Sequence, residues 1–287
     1  MLPTLNLYIP LYLPLMKRGI FISKFNRWHH FRKCLLGILT IGATSPLLRA
    51  QNTSSQMWYT YNQQAIVSKK WGYLFDINHR TASFKNTTPV LSAARAGATY
   101  LFDHNHRLSA GYAWFGSHIG DVKGKTLTEN RLWEQYQVFK TSGKTSFFHR
   151  VRLEQRWREL LPQNGELKGE TAFSIRARYM YQHQGAIWPI SEKRKFGVGW
   201  QGGSEIMLHA GEGIEKHYFD QFRIVGGIVL MPSKSINLAV LYQYIHQYRP
   251  STEQAYNIHT IRLTLLHQID FSARKKPPGP RPSKEDE

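Results

Sequence analysis

Arg150, Arg152, Glu154, Arg156 and Arg158 recur at every second position. Side chains two apart lie on one face of a β-strand, so this spacing gathers a carboxylate among guanidinium groups. Such a face can do one of two things. It can present planar, bidentate donors to a phosphate or carboxylate ligand, or it can tie neighbouring strands together through Arg–Glu pairs. Other segments add Arg131, Glu134, Arg176, Arg178 and Glu205 to the same expected constellation. Either role needs a face shielded from bulk water, because exposed ion pairs contribute little.

Other residue types offer less. His104-Asn105-His106 follows Asp103 directly, but a zinc site needs three or four fixed ligands, and turn chemistry explains this cluster better. No metal or cofactor is expected. The single cysteine, Cys34, lies in an N-terminal segment expected to be removed, which leaves no thiolate chemistry. A lipid-acting hydrolase would need a nucleophile beside a histidine. His149 has no adjacent serine, Ser146 lies at the turn end of its strand, and His259 and Thr260 are neighbours in sequence and so face apart. The chain is expected not to be an enzyme, with a lipid hydrolase as the alternative. Gly197, Gly199, Gly202, Gly203, Gly226 and Gly227 form no phosphate loop; inside strands they are expected to mark bends or bulges.

The elements that position these residues are strands. Period-two patterning covers residues 57–66, 71–80, 90–103, 107–116, 129–141, 145–158, 171–182, 196–210, 220–231, 236–249 and 256–271. That makes eleven segments, and helical periodicity is absent. Bacterial single-chain barrels have an even number of strands, so ten or twelve are expected, with a missing strand near residues 183–195. Short polar turns at 103–107, 142–144 and 232–235 alternate with longer segments at 81–89, 117–128, 159–169, 211–217 and 250–255. Faces agree from strand to strand. Phe147, His149, Val151, Leu153 and Trp157 lie opposite the charged set, and Tyr73, Phe75 and Ile77 lie opposite Asp76, Asn78 and Arg80. In the same way Ile261, Leu263 and Leu265 lie opposite Arg262 and Thr264.

The front of the chain indicates export. Residues 1–50 hold seven basic residues and no acid, then an apolar run from Cys34 to Leu48 that ends at Ala50-Gln51. This is the layout of a signal peptide, with Met16-Lys17-Arg18 the better start and residues 1–15 reading as a spurious extension. Removing seven of 38 basic residues and none of 19 acidic ones lowers the net charge from +19 to +12. An exported chain with no basic-aromatic motif is not expected to bind nucleic acid. Residues 272–287 are basic and proline-rich, and are expected to form a disordered tail on the periplasmic side. An export signal followed by repeated apolar/charged alternation predicts an all-β fold. It would be a single antiparallel transmembrane β-barrel of about 10–12 strands over residues 51–271, with short periplasmic turns and longer outer loops. A soluble, lipocalin-like periplasmic barrel, with its apolar face inward, is the alternative. The side on which Arg150, Arg152 and Glu154 lie separates the two.

Several stretches also carry a resemblance. Trp58, Lys70-Trp71-Gly72, Arg80 and Gly111-Tyr112 are followed by Arg131-Leu132-Trp133-Glu134-Gln135 and by His149-Arg-Val-Arg-Leu-Glu-Gln-Arg156. The series resembles the bacterial outer-membrane family known as domain of unknown function 2490. The resemblance implies a barrel in the outer membrane of a Gram-negative cell, and no reaction, substrate or catalytic residue. The function expected is a non-enzymatic outer-membrane protein, either a narrow anion-favouring channel or a structurally plugged barrel. Its partners would be outer-membrane lipids, the barrel-insertion machinery during assembly, and a small anionic solute.

Overall fold

The computed structural model describes residues 52–83, 85, 87–118, 126–160, 170–191, 195–212, 214, 217–249 and 254–272. The expected signal peptide, its start and cleavage site, and nearly all of the proline-rich tail lie outside these residues, as do large parts of the expected long loops. The strands are β1 (Asn52–Ile66), β2 (Trp71–Thr81), β3 (Pro89–Leu101), β4 (His106–His118), β5 (Thr126–Ser142) and β6 (Thr145–Glu159). They continue as β7 (Thr171–Trp188), β8 (Gly197–Gly211), β9 (Phe219–Met231), β10 (Ile236–Arg249) and β11 (Gln254–Asp270). Each pairs with its sequence neighbours, and β1 pairs with β11 to close the barrel.

Eleven strands fall within the expected range, but the count is odd, and that decides how the barrel closes. In an up-and-down chain strands one and eleven run the same way, so the closing pair must be parallel. The seam is indeed parallel and continuous, from Asn52 opposite Tyr256 to Ile66 opposite Asp270. The other junctions are antiparallel, so the expectation of a wholly antiparallel barrel is corrected at this one place. Among the described residues no separate strand lies near 183–195: β7 itself runs on to Trp188. The β8–β9 register passes unbroken through Gly199–Gly203 and Gly226–Gly227, whereas the β7–β8 register shifts opposite Gly199 and Val198, where a bend or bulge was expected. The register shifts lie between Arg80 and Thr81, between Ala186 and Trp188, and between Met207 and Leu208.

One rim carries four short turns, after β1, β3, β5 and β9, together with the longer β7–β8 connection, residues 189–196. Asp103 Oδ1 accepts the N–H groups of Asn105 (2.6 Å) and His106 (2.8 Å). Ser68 Oγ accepts from Trp71, and Ser233 Oγ accepts from Ile236. The β5–β6 connection is the two-residue Gly143-Lys144 turn, with Gly143 at φ 57°, the left-handed conformation that favours glycine. The other connections lie at the opposite rim. Aromatic side chains mark both rims on the outer surface: Trp71, Tyr100 and Phe102 stack edge-on beside the short turns, and Trp157 packs on Phe173 beside the long loops.

Strand alternation places opposite chemistry on the two walls. The outer wall carries Ile77, Leu132, Val151, Leu153, Ile175, Ile206, Leu208, Ile224 and Ile228, all exposed. The inner wall holds the charges and a few small apolar clusters. Ile190, Val229, Met231, Ala239 and Leu241 pack together near the turn rim. Leu74, Ala113 and Trp133 form a second cluster, and Trp58, Ile245 and Ile258 a third.

Candidate functional site: the charged lumen

The expected face assignment of β6 holds. Arg152, Glu154 and Arg156 are buried inside the barrel while Val151 and Leu153 are exposed on its outer wall. Cross-strand pairing then sets Arg131 opposite Arg156, Glu154 opposite Arg176, and Glu205 opposite Arg223. Charges brought together in this way must pair, because an isolated ion in a low-dielectric interior carries a large desolvation cost.

Glu154 is the hub. Its carboxylate lies 2.6 Å from Arg178 Nη1, 3.2 Å from Arg131 Nη1, 3.5 Å from Arg152 Nη1 and 3.9 Å from Arg176 Nη1. Glu205 accepts from Arg178 Nη2 and Arg150 Nη2, both at 2.8 Å. Arg178 therefore bridges the two glutamates. Glu129 accepts from Arg131 Nε at 2.8 Å and also from Arg156 Nε. Asp220 stands 2.7 Å from Arg176 Nε, close but not aligned as a hydrogen bond. Across the lumen Asp76 holds Arg95. Aromatic faces support the guanidinium groups: Arg131 lies 3.6 Å over the Phe115 ring, and Arg152 5.3 Å from the centroid of Trp133.

Nine of the ten expected residues line the interior, with Arg158 at its edge and its Nε unpartnered. Glu134 does not. It is exposed on the outer wall between Leu132 and Tyr136, and its carboxylate accepts only weakly from Gln155 Nε2, at 3.3 Å. The reason is parity. Glu134 stands three places from Arg131, and an odd spacing puts two side chains on opposite faces of a strand. Glu129, two places from Arg131, is the inward carboxylate of β5, and the same rule applied strictly identifies it. Asp220 and Arg223 were also missed. Asp220 sits at the β8–β9 register shift, where alternation is broken and parity gives no guide.

The interior is not electrically balanced. Among the described residues, the inward arginines are Arg80, Arg95, Arg107, Arg131, Arg150, Arg152, Arg156, Arg158, Arg176, Arg178, Arg223 and Arg262, and no described strand points a lysine inward. The inward carboxylates are the buried Asp76, Glu129, Glu154, Glu205 and Asp220 and, at the short-turn rim, the exposed Asp270 opposite Ile66. Counted by face among the described residues, twelve guanidinium groups thus meet six carboxylates, one of them at the rim, and the interior carries a positive surplus.

His149 and His259, weighed for a hydrolase, and His106, weighed for a metal, lie on the outer wall, each beside a tyrosine hydroxyl. His149 Nδ1 is 2.9 Å from the Tyr179 hydroxyl, His259 Nδ1 2.7 Å from that of Tyr242, and His106 Nδ1 2.6 Å from that of Tyr136.

Fold and interior together define the class: a closed β-barrel, apolar on its outer wall and arginine-rich within. Among curated proteins none matches the chain. Residues 55–257 match the family described as "Protein of unknown function (DUF2490)", and the chain belongs to that family.

Proposed function

We propose that the protein is a non-enzymatic barrel of the bacterial outer membrane whose narrow lumen favours small anions. The observation that carries this reading is the inversion of the two walls. An outer wall of exposed Ile, Leu, Val and aromatic residues matches a hydrocarbon solvent. A soluble barrel would turn that wall inward. Closure leaves no unpaired sheet edge, which a strand structure in lipid requires. The aromatic groups at both rims match the two membrane interfaces.

Eleven strands stand between the eight that side chains can fill and the sixteen or more that leave a wide aqueous channel. The Arg–carboxylate network occupies the β5–β9 side of the lumen, and the unpaired arginines set the sign of what passes or binds. A non-catalytic role is supported by the engagement of the reactive groups: each buried glutamate is held by arginines, and the outer histidines pair with tyrosines.

The test is conductance of the purified, refolded barrel in planar bilayers under a salt gradient. Discrete conductance with a reversal potential of anion-selective sign is expected. Cation selectivity, recovery of the protein in the soluble periplasmic fraction, or release of fatty acid from supplied lipid would each overturn the reading.

A further inference from the structure

We propose that Arg80, Arg262 and Arg223 converge at Trp58 to form a binding site for a small soluble oxyanion of the phosphate or carboxylate class. This rests on the reading of the lumen as anion-favouring and places one site within it. Trp58 points inward from β1 and is 3 % exposed. Its direct cross-strand neighbours are Arg80 on β2 and Arg262 on β11, so the parallel seam brings all three side chains to the lumen together. The guanidinium carbon of Arg80 lies 3.7 Å from the indole ring centroid and that of Arg223, reaching in from β9, lies 5.4 Å from it. The indole cannot swing away. Ile245 and Ile258 pack on it, and its Nε1 donates to Gln56 Oε1 at 2.8 Å.

Among the described residues, two of these arginines, Arg80 and Arg262, lack an ion pair, and the third, Arg223, has a single long one. The only hydrogen bond of Arg80 runs from Nε to Asn78 Oδ1 at 2.7 Å. Arg262 Nε is buried with no hydrogen-bond partner. Arg223 spends Nε and one Nη on Gln221, and the nearest carboxylate, Glu205, lies 3.7 Å from its other Nη. The inward carboxylates Asp76 and Glu205 are already held by Arg95 and by Arg178 with Arg150. Arg80 and Arg223 lie against the same indole, so the closest company of the Arg80 charge at this ring is another guanidinium group.

Like charges held together in a confined interior repel, and they stay together only if something compensates. An oxyanion does so best, because its oxygens accept charge-assisted hydrogen bonds from several planar guanidinium groups at once. Stacking on Trp58 fixes where those donors stand before the ligand arrives. The source of the anion follows from the wall. Every strand is paired on both sides, so no lateral gap admits a lipid headgroup, and the ligand enters through a mouth of the barrel.

The test uses the full mature barrel in detergent micelles. Thermal unfolding is followed with inorganic phosphate and, at equal ionic strength, with chloride. Phosphate is expected to raise the unfolding temperature well beyond chloride, since a ligand bound only by the folded state stabilises it. The double variant R80Q/R262Q is expected to weaken phosphate binding at least ten-fold. Its unfolding temperature without phosphate should equal or exceed that of the parent, because repulsion is relieved. A merely structural role for these arginines predicts the opposite, a lower unfolding temperature and an unchanged phosphate response, and that result would overturn the site. Equal effects of phosphate and chloride on the parent protein would also overturn it. Should the double variant fail to assemble, Arg262→Gln alone carries the same comparison. Conductance on the same preparation separates the two proposals. Anion-selective current without phosphate-specific stabilisation removes the site and leaves the lumen reading intact, whereas cation selectivity removes both.

Discussion

Glu154 is 2 % exposed and lies among Arg131, Arg152, Arg176 and Arg178. Taking it away leaves those cations facing one another with no anion between them. Breaking one partner of a buried ion network costs about 3–5 kcal/mol. We expect Glu154→Ala to lower the unfolding temperature markedly, read by heat-modifiable gel migration, while Leu153→Val on the outer wall changes it little. Glu134 gives the opposite expectation although it sits nearby on a neighbouring strand. Its carboxylate is on the wall proposed to face lipid and accepts from Gln155 Nε2, so Glu134→Ala removes a charge from that wall and should raise the unfolding temperature rather than lower it. Equal effects at Glu134 and Glu154 would show that the face assignment of β5 is wrong.

Strands β3, β4 and β5 pack closely over Trp133. Gly97 pairs with Gly111 across β3 and β4, and Gly111 pairs with Trp133 on β5. A Cβ on Gly97 would stand 2.5 Å from Trp133 Cζ2, so the indole lies flat only because this position carries no side chain. Overpacking of a filled interior typically costs about 1–3 kcal/mol. We expect Gly97→Val to lower stability by that order and to shift tryptophan fluorescence as Trp133 is displaced. The β3–β4 turn makes a pH-dependent prediction. The backbone N–H of Asn105, joined by that of His106, holds the Asp103 carboxyl below the usual carboxylate range. A depressed folded-state value means the stabilisation is present above the ordinary aspartate range and is lost as pH falls through the folded value. Asp103→Ala should therefore lower the unfolding temperature at neutral pH, and the difference from the parent should vanish in strong acid.

At the scale of the whole molecule, the odd strand count and the parallel seam put the two chain ends of the barrel at opposite rims. β1 starts at the long-loop rim and β11 finishes at the short-turn rim. Even-stranded barrels bring both ends to the same side. With the proposed membrane orientation, the start of β1 reaches the outer surface and the end of β11 reaches the periplasm. The mature chain expected from the sequence holds no cysteine, since the one present is Cys34, so single cysteines report cleanly. Thr53→Cys in intact cells should react with a membrane-impermeant maleimide, and Ser272→Cys only after the outer membrane is opened. Labelling of both positions from one side would contradict the seam.

The eleven strand segments, the short turns and the face carried by each residue of β6 were legible in the sequence, because alternation with period two is a local property that each segment expresses by itself. Arg150 through Arg158 could be placed together without knowing any partner. The error at Glu134 came from relaxing that local rule, not from a limit of it. Other features have no local expression. The parallel closure depends on whether strand one meets strand eleven, a contact between residues about two hundred places apart, and an even-count expectation from other barrels pointed the wrong way. Asp220 became part of the network only through a register shift, which the neighbouring strand imposes. Which carboxylate serves which arginine, and hence which guanidinium groups are left over at Trp58, depends on curvature bringing β2, β9 and β11 around one lumen. The sequence by itself determined that charges share a face, since that follows from backbone geometry within a strand. Only the tertiary structure decided how those charges divide between pairing with each other and awaiting an anion, since that depends on distances across the closed barrel.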